Sequence, residues 1–222
     1  MDGSSPAAKA VWKKSDLAAI LIIGELVACL AFAILQNARN DLFFYPNLLA
    51  TFGSALNMGL FLAGLVPLAA LACLYAAYFL GQKFPVVFQA AKFVSVGILN
   101  TLIDWGVLTL QVLFTGVNAG MWYGLFKSVS FLAAVSNSFI WNKCWTFKKH
   151  NTGKTKQELS QFFLVSFIGF FINVGVASFV VNVIGPQAGI SYNLWATVGG
   201  AVATVFSMVW DFVAYKFIVF KK

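Results

Sequence analysis

Acidic residues are scarce in this chain, with seven Asp and Glu against fifteen Lys and Arg, and there are only one histidine and three cysteines in 222 residues. So few carboxylates and imidazoles leave little from which to build a general acid–base pair or a metal cage. Cys29, Cys73 and Cys144 fall in no C-x-x-C or Cys/His spacing, so neither a disulfide framework nor a zinc site is indicated. His150, alone in a basic loop, reads as a solvated residue rather than a ligand. Long polar stretches are missing too, which leaves no room for a soluble catalytic domain, and the loops hold no Asp-x-Asp or His-bearing constellation. No cofactor, no metal and no enzymatic chemistry are therefore expected.

Apolar surface is what the chain has in abundance. It is 60% hydrophobic and 10% charged, with a mean hydropathy of +0.84, which exceeds what an ordinary soluble domain can bury. The composition describes an all-α integral membrane protein. Six stretches are long enough to cross a hydrocarbon core of ~30 Å, which takes about 20 helical residues: 17–35, 48–80, 86–114, 121–141, 159–184 and 192–218. These runs are apolar on every face, unlike the alternating strands of a β-barrel. The stretch 17–35 exceeds a usual signal-peptide core, and Gln36-Asn37-Ala38-Arg39 makes a poor cleavage site, so it is expected to stay as a helix.

The position of the cations accounts for the net charge of +8. Lys9, Lys13 and Lys14 precede the first segment, and Lys83 and Lys92 flank the second connection. Lys143, Lys148, Lys149, Lys154 and Lys156 fill the fourth, while Lys216, Lys221 and Lys222 close the chain. The opposite connections hold Arg39, offset by Asp41, and no charge in 115–120 or 185–191. The positive-inside rule then places both termini in the cytoplasm of a multi-pass plasma (inner) membrane protein. Lysines facing anionic headgroups explain the charge, and no nucleic-acid partner is expected.

A second regularity lies in the last four segments. Asn142-Lys143-x-x-x-Phe147-Lys148-Lys149 closes one apolar run, and Tyr215-Lys216-x-x-x-Phe220-Lys221-Lys222 closes another 73 residues later; the same offset carries Asn100 onto Asn173 and Phe139 onto Phe212. The pattern reads as a parallel two-helix repeat. The chain then divides into a polar, basic N-terminus (1–16), an appended two-helix module (17–85) and a four-helix body (86–222).

Ionisable groups at membrane depth cost about 2.5–3.5 kcal/mol each on insertion scales, so each asks for a partner or a purpose. Asp104 and Lys127 both fall in the outer half, and the offset places Ala177 and Gly200 at the corresponding positions, so the second half lacks both charges together. Joint absence is what a neutralising pair produces, either as a helix-locking bridge or as a charged feature on a polar path. Asn100 and Asn173, with Asn137 at similar depth, read as interhelical hydrogen-bonding groups or as the lining of such a path. Asp211 has Lys216 nearby for local compensation. Glu25, in the middle of the first segment, has no obvious mate. Lys92, Asn142, Lys143, Trp145, Lys148, Lys149, Lys216 and Lys221 form an interfacial cluster suited to membrane anchoring or to binding a lipid phosphate.

Two motifs carry a resemblance. Phe93-Val94-Ser95-Val96-Gly97-Ile98-Leu99-Asn100-Thr101-Leu102-Ile103-Asp104 and Asn137-Ser138-Phe139-Ile140-Trp141-Asn142-Lys143-Cys144-Trp145-Thr146-Phe147 resemble, in order and spacing, the two hallmarks of the GtrA-like family, over residues 88–222. Ser138 departs from the Phe frequent at that position, and the helices before residue 85 lie outside the family core. The resemblance implies a small membrane protein of polyprenyl-phosphate sugar metabolism, which either moves such lipid-linked sugars across the membrane or assists a membrane glycosyltransferase. The expected function is a flippase for polyprenyl-phosphate-linked sugars, with a glycosyltransferase scaffold as the alternative. Four core helices are few to enclose such a path, so a homodimer is expected.

Overall fold

The computed structural model describes residues 10–37, 39, 44–117, 120–149, 154–187, 189 and 192–221. Among these there is no strand; the helices are α1 (Lys14–Asn37), α2 (Tyr45–Phe52), α3 (Ala55–Gly81), α4 (Pro85–Thr115), α5 (Gly120–Trp141), α6 (Thr155–Ser178) and α7 (Tyr192–Ala214). Large apolar side chains such as Leu56, Leu60, Leu68, Phe79 and Phe114 face outward, as lipid-facing surfaces do. Among the described residues, five helical stretches are long and apolar enough to cross a membrane: Lys14–Asn37, Ala55–Gly81, Pro85–Thr115, Thr155–Ile184 and Val198–Val219. The chain is a multi-pass membrane protein. The remaining long helix, α5, has 22 residues and so the necessary length, but Lys127, Ser128, Ser130, Ser136, Asn137 and Ser138 dilute its apolarity.

The segment expected as one helix over 48–80 is two. Gly53, with φ 72°, ends α2 by returning its N–H to the Leu49 carbonyl, and Ser54 starts α3 as an N-cap whose hydroxyl accepts from the Asn57 N–H at 3.1 Å. A glycine that tolerates the left-handed region followed by a capping serine is a stop and a restart within three residues. Pro67 does not break α3, which runs through it.

The helices gather into two compact units, Met1–Lys148 and Lys149–Lys222. In the first, α1, α3 and α4 pack on one another around Ile20, Ile23, Leu74, Phe88, Val96 and Leu99, and α5 lies along α4. The join near residue 85 falls inside this unit. With no water to expel between lipid-embedded helices, close approach is what holds them together. One such approach is Gly24 against Pro67: a Cβ on Gly24 would sit 2.5 Å from the Pro67 Cα. Within the polar, basic N-terminus, the residues from Ala10 onward are tied down. Trp12 packs edge-on against Tyr75 and Tyr78 and stacks on Phe88, at 5.5–5.9 Å, and Gln82 donates to the Ala10 carbonyl at 2.9 Å.

In the second unit α6 packs along α7, with Phe162 fully buried and stacked on Tyr215 at 4.1 Å. Among the described residues, three helix ends continue as π-helix: Asn142–Thr146 after α5, Phe179–Ile184 after α6 and Tyr215–Val219 after α7. The first and third stand at the 73-residue offset, and each closes with the same bond, Phe147 N–H to the Asn142 carbonyl at 2.8 Å and Phe220 N–H to the Tyr215 carbonyl at 2.7 Å.

Candidate functional site

α4 carries Gln89, Lys92, Asn100, Asp104 and Gln111. At 100° per residue these five fall within about 120° of arc, and from first to last they span about 33 Å of helix. Every one is bonded to a group outside its own turn. Gln89 donates to the Thr146 carbonyl at 3.3 Å, Asn100 accepts from Asn137 at 2.7 Å, and Gln111 donates to the Phe126 carbonyl at 3.2 Å. Asp104 pairs with the Lys127 ammonium and also accepts from the fully buried Ser130 hydroxyl at 2.6 Å. The sequence expectation that Asp104 and Lys127 meet, and that Asn100 and Asn137 lie at one depth, matches these placements. Asn173, the fifth residue expected on a polar path, bonds Ser207 at 3.2 Å within the second unit.

A second ion pair on the same face of α4 has the opposite character. Lys92 meets Asp16 at 2.5 Å, with side chains 3% and 0% exposed, whereas Lys127 and Asp104 are 46% and 20% exposed. One pair is sealed and the other opens outward. Asp16 collects more: Trp145 donates to it from Nε1 at 3.0 Å, the Lys13 N–H at 2.9 Å, and the Lys148 ammonium stands 3.8 Å away. Lys92 also lies over the Phe88 ring at 4.2 Å. A carboxylate this deep is tolerable only with such company, since an unpaired buried charge costs several kcal/mol, about 3–5 when one partner is removed.

Asp16 is the residue that sequence reasoning missed. It stood in a stretch read as polar and basic, and its one signal was being the single acid in the first turn of α1, after Lys13 and Lys14. Its presence changes the setting of the interfacial cluster. Lys92, Trp145 and Lys148 are turned onto Asp16. Asn142 is fully buried and donates to the Ser138 carbonyl at 2.9 Å, and Lys143 is buried with its ammonium over the Phe139 ring at 5.6 Å. Lys148, Lys149, Lys216 and Lys221 keep exposed or half-exposed side chains.

In the second unit the expected compensation of Asp211 by Lys216 is not found. Lys216 lies over the rings of Phe212 and Phe217 at 5.8 and 5.5 Å, and the Asp211 carboxylate is pressed against Gly169, where a Cβ would meet its Oδ1 at 2.5 Å. That oxygen has no hydrogen-bond partner among the described residues. Nearby, Ser166 of α6 and Tyr215, at the start of the π-helical end that follows α7, share a hydrogen bond of 2.7 Å. Glu25 is exposed on the outer side of α1. Among the described residues, no three His, Cys, Asp or Glu gather as metal ligands.

Residues 92–220, more than half of the chain, match the family described as GtrA/DPMS, transmembrane domain. The chain is also 30% identical over 127 residues to the uncharacterized membrane protein YngA of Bacillus subtilis (strain 168), a stretch covering 54% of this chain and 77% of that protein. No solved structure matches it.

Proposed function

The chain belongs to the GtrA/DPMS transmembrane-domain family, and from that premise we propose that it is a translocase for polyprenyl-phosphate-linked sugars, supplying the synthesis of cell-surface polysaccharide or glycoconjugate. One observation carries this reading: the polar face of α4 extends over a bilayer's thickness and, at Asp104 and Lys127, half-opens to the outside. Groups that exchange hydrogen bonds with one another can exchange them with a sugar, at little net cost if each bond lost is replaced. Asn100, Asp104, Lys127 and Asn137 form this lining, and Asn173 with Ser207 is the corresponding polar step in the second unit. In the second unit the accessible lysines Lys149, Lys216 and Lys221 gather the phosphate, while the polyprenyl tail stays in lipid. No bond is made or broken.

In this reading all six long apolar segments span an inner membrane, α5 held there by its bonds to α4, with both termini on the lysine-rich cytoplasmic side. A second copy of the chain covers the outer side of α1, where Glu25 at mid-helix would otherwise face lipid.

Reconstitution tests the proposal. Purified protein in liposomes should speed the transbilayer movement of an isotopically labelled polyprenyl-phosphate sugar at least tenfold over empty liposomes. No acceleration at full protein incorporation would remove it. The alternative, a non-transporting scaffold that recruits a membrane glycosyltransferase, is favoured by the sealed cluster around Asp16, which holds helices rather than ligand. It gains if co-purification of such an enzyme survives while lipid movement is absent.

A further inference from the structure

The foot of α6 holds a half-open cavity of about 400 Å3 within the second unit, walled by Lys149, Lys154, Gln157, Glu158, Gln161 and Lys221. Its chemistry is unlike that of the large groove in the first unit, whose walls from α1, α3 and α4 are almost wholly apolar. Among the described wall residues three lysines stand against one carboxylate, so the site attracts an anion. Lys154, Glu158 and Gln161 follow one another at i, i+4 and i+7 and therefore form a single stripe along the helix, with Gln157 beside it. Lys154 and Gln157 are exposed, Gln161 is half-buried and Glu158 is buried. The accessible cation thus stands at the lip and the acceptors stand deeper.

A carboxylate deep in an anion site is unfavourable for a bare phosphate, whose oxygens it repels, and favourable for a ligand that offers hydroxyl donors beyond the phosphate. The two carboxamides serve the same hydroxyls, since each can donate and accept. A volume near the low end of the roughly 300–1,000 Å3 of small-molecule sites suits one monosaccharide-sized group. We propose that this cavity is a headgroup site for a phosphodiester bearing a polyhydroxylated group, with Lys149, Lys154 and Lys221 on the phosphate and Glu158, Gln157 and Gln161 on the hydroxyls. It rests on the translocase reading for its assignment to a lipid-linked sugar; a glycerol-type phospholipid headgroup shares the chemistry.

The full chain in phosphatidylcholine nanodiscs is titrated with citronellyl phosphoglucose and with citronellyl phosphate, and thermal unfolding checks that each variant is folded. The glucosylated probe should bind at least tenfold more tightly. Lys154→Gln and Lys221→Gln should weaken both probes, whereas Glu158→Gln and Gln161→Leu should weaken only the glucosylated one and erase the preference. Equal binding of the two probes, or a preference that survives Glu158→Gln and Gln161→Leu, overturns the site. Phosphatidylglycerol added to the nanodiscs identifies the source: competition supports a bilayer lipid in the site, and its absence supports the sugar carrier. The two readings fail separately. Selective binding without transbilayer movement removes translocation alone, and movement unchanged in folded Lys154→Gln and Glu158→Gln variants removes the site alone.

Discussion

Asp16 and Lys92 lie 76 residues apart in sequence and 2.5 Å apart in space, both closed off from solvent. The pair fastens the start of α1 to α4, and Trp145, 129 residues from Asp16, joins it through its indole N–H. The first helix, which lies outside the matched family region, is therefore bound to that region by charge as well as by packing.

Removing one partner should be worse than removing both. Asp16→Ala, which strands the Lys92 ammonium, should cost about 3–5 kcal/mol, and Asp16→Ala with Lys92→Met should recover most of that loss. Thermal unfolding in detergent, read by near-ultraviolet circular dichroism, measures the cycle. A double mutant no more stable than the single would contradict the pairing.

The more exposed pair, Asp104 with Lys127, should behave differently. Lys127 is nearly half exposed, so Lys127→Gln should change stability by no more than about 1 kcal/mol while lowering lipid-linked sugar movement severalfold. Asp104→Asn should follow it. If movement instead tracks the amount of folded protein in both variants, the pair is a brace and nothing more.

Two glycines give a steric test. Gly24→Ala forces a Cβ into the Pro67 backbone and should destabilise by about 1–3 kcal/mol. Gly64→Ala meets nothing within 4 Å and should be neutral or stabilising by up to ~1 kcal/mol, because alanine is the better helix former. Similar melting temperatures for the two would refute the close contact of α1 with α3.

The proposed second copy on α1 can be tested through Cys29, which is exposed one helical turn from Glu25. In a Cys73→Ser/Cys144→Ser background, copper-phenanthroline treatment of membranes should give a cross-linked dimer on gels, and Glu25→Leu should reduce it severalfold. A chain that stays monomeric under conditions that oxidise Cys29 argues against that interface.

Much of the helical layout was legible because a run of apolar residues about 20 long has few alternatives. The Asp104–Lys127 contact was legible as well, since each is an expensive group at the same depth. Gly53-Ser54 could have been read as a break from its stop-and-cap chemistry, but the surrounding hydropathy masked it. The 73-residue offset sets Asn100 against Asn173 in sequence, whereas in space Asn100 bonds Asn137; a sequence offset does not report contacts. Asp16 could not be placed because its partners come from distant helices, and nothing local distinguishes an acid that is folded inward from one left in solvent. Asp211 was misread for the converse reason: Lys216 is near in sequence, but the π-helical turn it occupies sets it over two aromatic rings.

The seating of Pro67 against Gly24 also limits how the first unit can move. A ring lodged where one helix has no side chain works like a detent: α1 cannot slide along α3 by a residue or a turn without driving a bulkier residue into the proline. Axial ratcheting of these two helices is thereby blocked, and any shape change in which they take part must carry them together as a single strut.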